Sequence, residues 1–89
     1  MADIEVNGAA DGAYRVTVTA DGSTSSHVVT VSPDYLTRLG SGASGDELVV
    51  ASFRFLLDRE SKESIMSRFD LSIVERYFPE YPNTVGDYL

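Results

Sequence analysis

The sequence predicts an α+β domain, in which an N-terminal two- or three-stranded antiparallel β-meander at residues 4–31 is followed by three to four short helices packed on it at residues 33–78. Apolar residues alternate with polar ones in the first third of the chain, and from residue 33 onward they recur every three or four positions. Strands followed by helices are typical of the α+β class. With 89 residues, 43% of them hydrophobic, the chain can form one core, so residues 1–89 are expected to be a single small domain.

The predicted meander rests on a two-residue period. Residues 14–20 place apolar side chains on one side of a strand and Arg or Thr on the other. Turn-forming residues occupy positions 21–26, and β-branched residues resume at 28–31, which predicts a hairpin. A weaker alternation at Ile4 and Val6 predicts a third, edge strand.

Helix-capping residues predict the next two elements, both of them helices. Ser32 before a proline predicts a short helix that ends at Gly40. Ser44 and Glu47 have the spacing of a capping box, which predicts a core helix at 45–59. Its broad apolar face comprises Leu48, Val49, Ser52, Phe53, Leu56 and Leu57.

The remaining chain divides into two short amphipathic pieces at 62–68 and 71–78, with Asp70 as the cap between them. Pro79 ends the second piece because proline lacks a backbone N–H group and crowds the preceding turn. Residues 83–89 are expected to form a flexible tail.

Composition excludes several function classes. Fourteen acidic and seven basic residues give a net charge of -7, which repels nucleic acid and anionic lipid and makes nucleic acid an unlikely partner. The lack of cysteine excludes disulfides and thiolate chemistry, and a single histidine excludes multi-histidine metal sites, so no metal or cofactor is expected. The acidic start, MADIEVNG, differs from a secretory signal, and no apolar run could span a membrane, so we expect a cytoplasmic protein.

Three motifs have simpler explanations than catalysis or ligand binding. GSGASG at 40–45 matches a dinucleotide-binding pattern, but a helix precedes it and two acidic residues follow, so we interpret it as a linker. His27 is expected to face solvent on a strand, and the chain has no nucleophile elbow. Glu60, whether paired with Asp58 or with Glu63, could form an acid-base dyad, but neighbouring Arg59 and Lys62 favour exposed ion pairs.

Residues 63–78 resemble a helix-turn-helix in their pattern. The second piece offers only Arg76 as a cation, beside Glu75, so a helical hairpin packed on the sheet is the preferred interpretation. Aromatic residues gather after Asp70, where two prolines prevent one regular helix from burying all of them. We therefore predict an interaction surface in this region, formed by Phe69, Arg76, Tyr77, Phe78 and Tyr81.

The segment SFRFLLDRESKESIMSRFDLSIVERYFPEY at 52–81 resembles a set of small bacterial proteins of uncharacterised function that carry such a run near their C-termini. Its most specific parts are FLL at 55–57, RE at 59–60, SI at 64–65, FDL at 69–71 and YFPEY at 77–81. The resemblance covers about a third of the chain, implies no activity, and transfers no site residue.

These observations favour a non-catalytic accessory or interaction module that uses the C-terminal aromatic segment to bind an unidentified protein or a second copy of itself. A small helix-turn-helix-like, transcription-associated regulator is the first alternative. A subunit of a larger enzyme is the second.

Overall fold

The computed structural model describes residues 2–8 and 10–89, and it packs helices against a four-stranded sheet. The strands are β1 (Asp3–Gly8), β2 (Ala13–Ala20), β3 (Ser23–Thr30) and β4 (Arg68–Asp70), and they lie side by side in this order. The helices are α1 (Pro33–Gly40), α2 (Gly45–Leu57), α3 (Val74–Tyr77) and α4 (Tyr81–Thr84). The α+β class is therefore confirmed.

The first three strands form the antiparallel meander, and β1 is its edge. Asp21 and Gly22 both adopt positive φ angles, 55° and 79°, which is the backbone of a tight two-residue hairpin turn. Because this turn is so short, Ser23 pairs directly with Ala20, and the serine-rich stretch predicted as a turn is the first half of β3. Glu5 and Thr24 are exposed residues of β1 and β3.

The fourth strand was not predicted. β4 pairs in parallel with β3 through three residues, and the Val28 N–H group donates to the Ser67 carbonyl oxygen at 2.8 Å. The prediction of a helical piece at 62–68 is wrong, because the outer edge of β3 pairs with Arg68–Asp70 to satisfy its backbone groups, and only Lys62–Ser64 forms a short 3-10 turn. The predicted piece at 71–78 is helical from Leu71 to Tyr77, as a 3-10 turn at Leu71–Ile73 that continues into α3.

The capping box at the start of α2 is confirmed, with Ser44 Oγ accepting from the Glu47 N–H group and Glu47 accepting from Ser44. Gly45 in the first turn leaves room for the Tyr14 hydroxyl group, because a Cβ atom at this position would overlap it and force the Tyr14 side chain to move. The helix ends at Leu57, two residues before its predicted end, and Leu57 is half-buried. The other five residues of the predicted apolar face are buried: Leu48, Val49, Ser52, Phe53 and Leu56.

Helix α2 is buried on more than one side because the C-terminal segment packs against it. Phe55 contacts the rings of Tyr81 and Tyr88 at centroid distances of 5.2 and 6.0 Å. Val85 is 1% exposed, and the Tyr88 hydroxyl donates to Asp58 at 2.6 Å. Residues 83–89 are thus part of the folded domain, and the expectation of a flexible tail is corrected.

Within residues 2–8 and 10–89, none of the helices combines the length and the hydrophobicity that a membrane span requires.

Candidate functional site

An apolar groove of about 440 Å³ lies between the C-terminal end of α2, the segment that enters β4, and α3. Glu60 is the only charged residue among those that line it. The ten lining residues are Leu56, Glu60, Ser64, Ile65, Met66, Phe69, Ile73, Val74, Tyr77 and Phe78.

The groove has a buried floor and an exposed rim. Leu56, Phe69 and Val74 form its floor, with at most 8% of each residue accessible. Met66 and Tyr77 are 42% and 67% exposed, and they are large apolar side chains that the fold leaves in contact with water. The groove therefore combines a preformed apolar surface with two side chains available for contact.

His27 fixes the wall that carries Met66. Its Nδ1–H group donates to the Met66 carbonyl oxygen at 2.8 Å, and its Nε2 atom lies 2.8 Å from the Ser25 hydroxyl group. Its ring packs 5.3 Å from that of Phe53. His27 is 3% exposed, so the expectation that it faces solvent is wrong. The two-residue period shared with buried Val29 was the signal for an inward side chain.

The opposite wall, α3, is held to α1 through Glu75. The Tyr35 hydroxyl donates to Glu75 at 2.9 Å, and Arg38 lies 3.5 Å from the same carboxylate oxygen. Burial, together with the hydrogen bond to Glu75, raises the pKa of the Tyr35 hydroxyl well above its ordinary range. Tyr35 therefore stays neutral and donates, and it keeps the groove wall in place.

Asp70 holds β4 and the following turn together below the groove. Its carboxylate accepts from the Thr30 hydroxyl at 2.6 Å and from the Ser72 N–H group at 3.1 Å. Burial opposes ionisation, but the hydrogen bonds from Ser72 and Thr30 outweigh it and lower the pKa of Asp70. The predicted capping role of Asp70 is confirmed.

Glu60 differs from the acidic residues around it. Burial raises the pKa of its carboxyl group. Of the ion pairs expected with Arg59 and Lys62, the one between Lys62 and Glu63 forms. Arg59 instead pairs with Glu80 at 3.2 Å, and Glu60 has no ion pair among the described residues. The groove thus contains a partly desolvated carboxylate whose two nearest basic neighbours in sequence are engaged elsewhere.

The predicted interaction residues are distributed between the groove, the open surface and the core. Tyr77, Phe78 and Phe69 line the groove, although Phe69 is buried in its floor. Arg76 is exposed but does not line the groove. Tyr81 has no accessible surface, so its assignment to an interaction surface is corrected.

Seven of the ten residues that line the groove were not among the predicted interaction residues: Leu56, Glu60, Ser64, Ile65, Met66, Ile73 and Val74. Ile65 and Met66 were assigned to a helical face that does not form. The gap between the predicted helix at 45–59 and the piece at 62–68 was the available signal for Glu60, because it separates Glu60 from the regular helix and lets it line the groove beside Ser64 and Ile65.

A second, larger cavity of about 630 Å³ adjoins the connection between α1 and α2. The GSGASG segment forms this connection, and a helix precedes it, so it lacks the strand-loop-helix context of a dinucleotide-binding loop. Asp46 and Glu47 lie in the first turn of α2 and line the cavity, where they repel phosphate. No group of three or more His, Asp or Glu residues suited to a metal occurs within residues 2–8 and 10–89.

Comparison of the chain with protein-family models, curated proteins and solved structures gives no significant match.

Proposed function

We propose that this domain is a non-catalytic protein-interaction module whose binding surface is the groove between α2, β4 and α3. The observation that carries the proposal is the pair of exposed residues Met66 and Tyr77 at the rim of a preformed apolar floor. Methionine and tyrosine are enriched at protein interfaces because they offer large contact areas that adapt to a partner. Exposed apolar surface of this kind commonly marks a site of protein contact.

The lining of the groove favours binding over catalysis. Acid-base catalysis needs a proton donor and acceptor placed on either side of a reacting group. Eight of the ten lining residues are aliphatic or aromatic, and Glu60 and Ser64 are the other two. Among the described residues, the side-chain hydrogen-bond partner of the Ser64 hydroxyl group is the Ser61 hydroxyl group at 3.4 Å, and a serine hydroxyl is not the general base that activates a nucleophile.

The alternative of a transcription-associated regulator receives no support from the geometry. A recognition helix must extend into the major groove of DNA and present several side chains to base edges. Helix α3 has four residues, and Arg76 is its only cation. Phe69 and Asp70 lie in a strand where the turn between two helices was expected.

Site-specific photo-crosslinking tests the proposal. A benzoylphenylalanine residue replaces Tyr77 at the rim of the groove, and a matched protein carries it in place of Thr24, which is also exposed but lies on β3. In extracts of the natural host, we expect discrete protein adducts from position 77 and none of these from position 24. Identical adducts from both positions, or none from position 77, would overturn the proposal.

A further inference from the structure

We infer that the segment bound in the groove belongs to a partner protein and carries a lysine or arginine beside its apolar side chains, with Glu60 as the counter-ion. The inference rests on the proposed function and adds the chemistry of the partner. The inference follows from the position of the Glu60 carboxylate in the groove and from the residues around it.

Glu60 lies in an environment that disfavours its own charge. It lines a groove otherwise built of apolar side chains and Ser64, and burial raises the pKa of its carboxyl group. The ion pairs among the described residues use Glu63, Glu75 and Glu80, all of which lie outside the groove lining. Glu60 is therefore the one carboxylate in the groove lining, and it has no ion-pair partner among the described residues.

Binding makes the need for a cation stronger. An apolar segment that covers the groove displaces the water that still solvates Glu60, and a buried carboxylate without a partner is costly. A neutral or acidic segment would incur this cost, whereas a segment with a Lys or Arg would form a charge-assisted hydrogen bond. Glu60 thus favours segments that carry a Lys or Arg and disfavours neutral or acidic ones.

The size and charge of the molecule agree with such a partner. A volume of about 440 Å³ lies in the lower part of the range for ligand pockets, which suits a few side chains of a peptide. The net charge of -7 draws cationic segments towards the domain over longer distances and opposes association of two copies. The structure therefore favours a basic segment of a different protein over self-association.

Selection from a phage-displayed library of random dodecapeptides tests the inference. The baits are the wild-type domain, Glu60→Gln, Tyr77→Ser, and Glu5→Gln as a control that makes the same change on an exposed residue of β1. Circular dichroism first verifies that each bait is folded. We expect the wild type and Glu5→Gln to enrich peptides with apolar residues next to Lys or Arg, and Glu60→Gln to lose the preference for the basic residue.

Affinities of the enriched peptides complete the test. Loss of one charge-assisted contact predicts binding to Glu60→Gln about tenfold weaker than to the wild type, with Glu5→Gln unchanged. If Tyr77→Ser loses binding but Glu60→Gln selects the same basic peptides as the wild type, the inference is overturned and the groove proposal stands. If Tyr77→Ser also binds like the wild type, or if no peptide is enriched, both are overturned. Dimers of the wild-type domain at micromolar concentration that Tyr77→Ser abolishes would assign the groove to a second copy and also overturn the inference.

Discussion

At the scale of single residues, Tyr81 is buried because its hydroxyl group has a partner inside the core. The Ser52 hydroxyl donates to the Leu48 carbonyl oxygen at 2.7 Å, so its Oγ atom is free to accept the Tyr81 O–H group at 2.6 Å. Burial raises the pKa of Tyr81 to about 12, and the phenol remains a donor at neutral pH. The sequence could not predict this pair, because the partners are 29 residues apart.

Substitutions of this pair have unequal effects on the free energy of unfolding. Tyr81→Phe removes one hydrogen bond and costs about 1 kcal/mol, whereas Ser52→Ala leaves the buried Tyr81 donor without an acceptor and costs about 1–3 kcal/mol. The double variant costs less than the sum, because it leaves no orphaned donor. Urea unfolding of the three variants measures this coupling, and strictly additive effects would show that the pair does not stabilise the core.

The raised pKa of Glu60 predicts in which direction Glu60→Gln changes the free energy of unfolding at each pH. Because burial raises its pKa in the folded state, the proton-bound form stabilises the fold at low pH, and this contribution is lost as the pH rises through the folded-state pKa. Glu60→Gln should therefore stabilise the free domain at neutral pH, by no more than about 0.5 kcal/mol for a partly solvated group. The gain should vanish under acidic conditions. Thermal unfolding across this pH range, with Glu5→Gln as control, measures it, and a gain that grows as the pH falls would contradict the assignment.

At the scale of elements, local signals predicted α1, α2 and the meander, whereas β4 and the packing of the C-terminal segment depend on contacts between distant parts of the chain. The capping box of Ser44 and Glu47 lies within four residues, so the sequence alone identified the start of the helix. β4 forms only because β3 offers it an unpaired edge, and Thr30 and Asp70 meet across 40 positions of sequence. No local pattern in a three-residue strand distinguishes it from the link between two helices.

The structure of the C-terminal segment, residues 83–89, also could not be predicted from local sequence patterns. Residues 83–89 were predicted to form a flexible tail, yet Val85 is 1% exposed. Just before them, Glu80 pairs with Arg59, which also lies over the Phe55 ring at 3.7 Å. These contacts come from α2 and from the residues just after it, which lie more than 20 residues earlier in the chain. A short turn can therefore be part of the core without any helical period of its own.

Truncation of single side chains in this segment tests its role. Val85→Ala removes buried methyl groups and should cost about 1.5 kcal/mol of unfolding free energy. Leu89→Ala is the matched control, because Leu89 is 45% exposed, and its effect should stay within about 0.5 kcal/mol. Equal midpoints for the two variants in urea unfolding would mean that the segment does not pack as described.

At the scale of the whole molecule, the groove exists because three parts of the chain meet around it. His27 positions the wall that carries Met66, and Glu75 fixes α3 to α1. Aromatic residues after Asp70 pointed to this region from the sequence, and Tyr77 and Phe78 do line the groove. Its outline and its carboxylate depend on tertiary packing, which is why the sequence placed Tyr81 on the surface and overlooked Glu60.

The most direct test of the groove and its charge preference is a titration of the ¹⁵N-labelled domain with three matched compounds, followed by NMR. The compounds are 4-phenylbutylammonium, 4-phenylbutanol and 4-phenylbutyrate, which share an apolar body and differ in charge. We predict amide shifts centred on Ile65, Met66, Ile73 and Tyr77, with the ammonium binding more tightly than the alcohol and the carboxylate most weakly, and no difference between ammonium and alcohol in Glu60→Gln. Shifts centred elsewhere, or the same order of affinities in Glu60→Gln, would contradict the account.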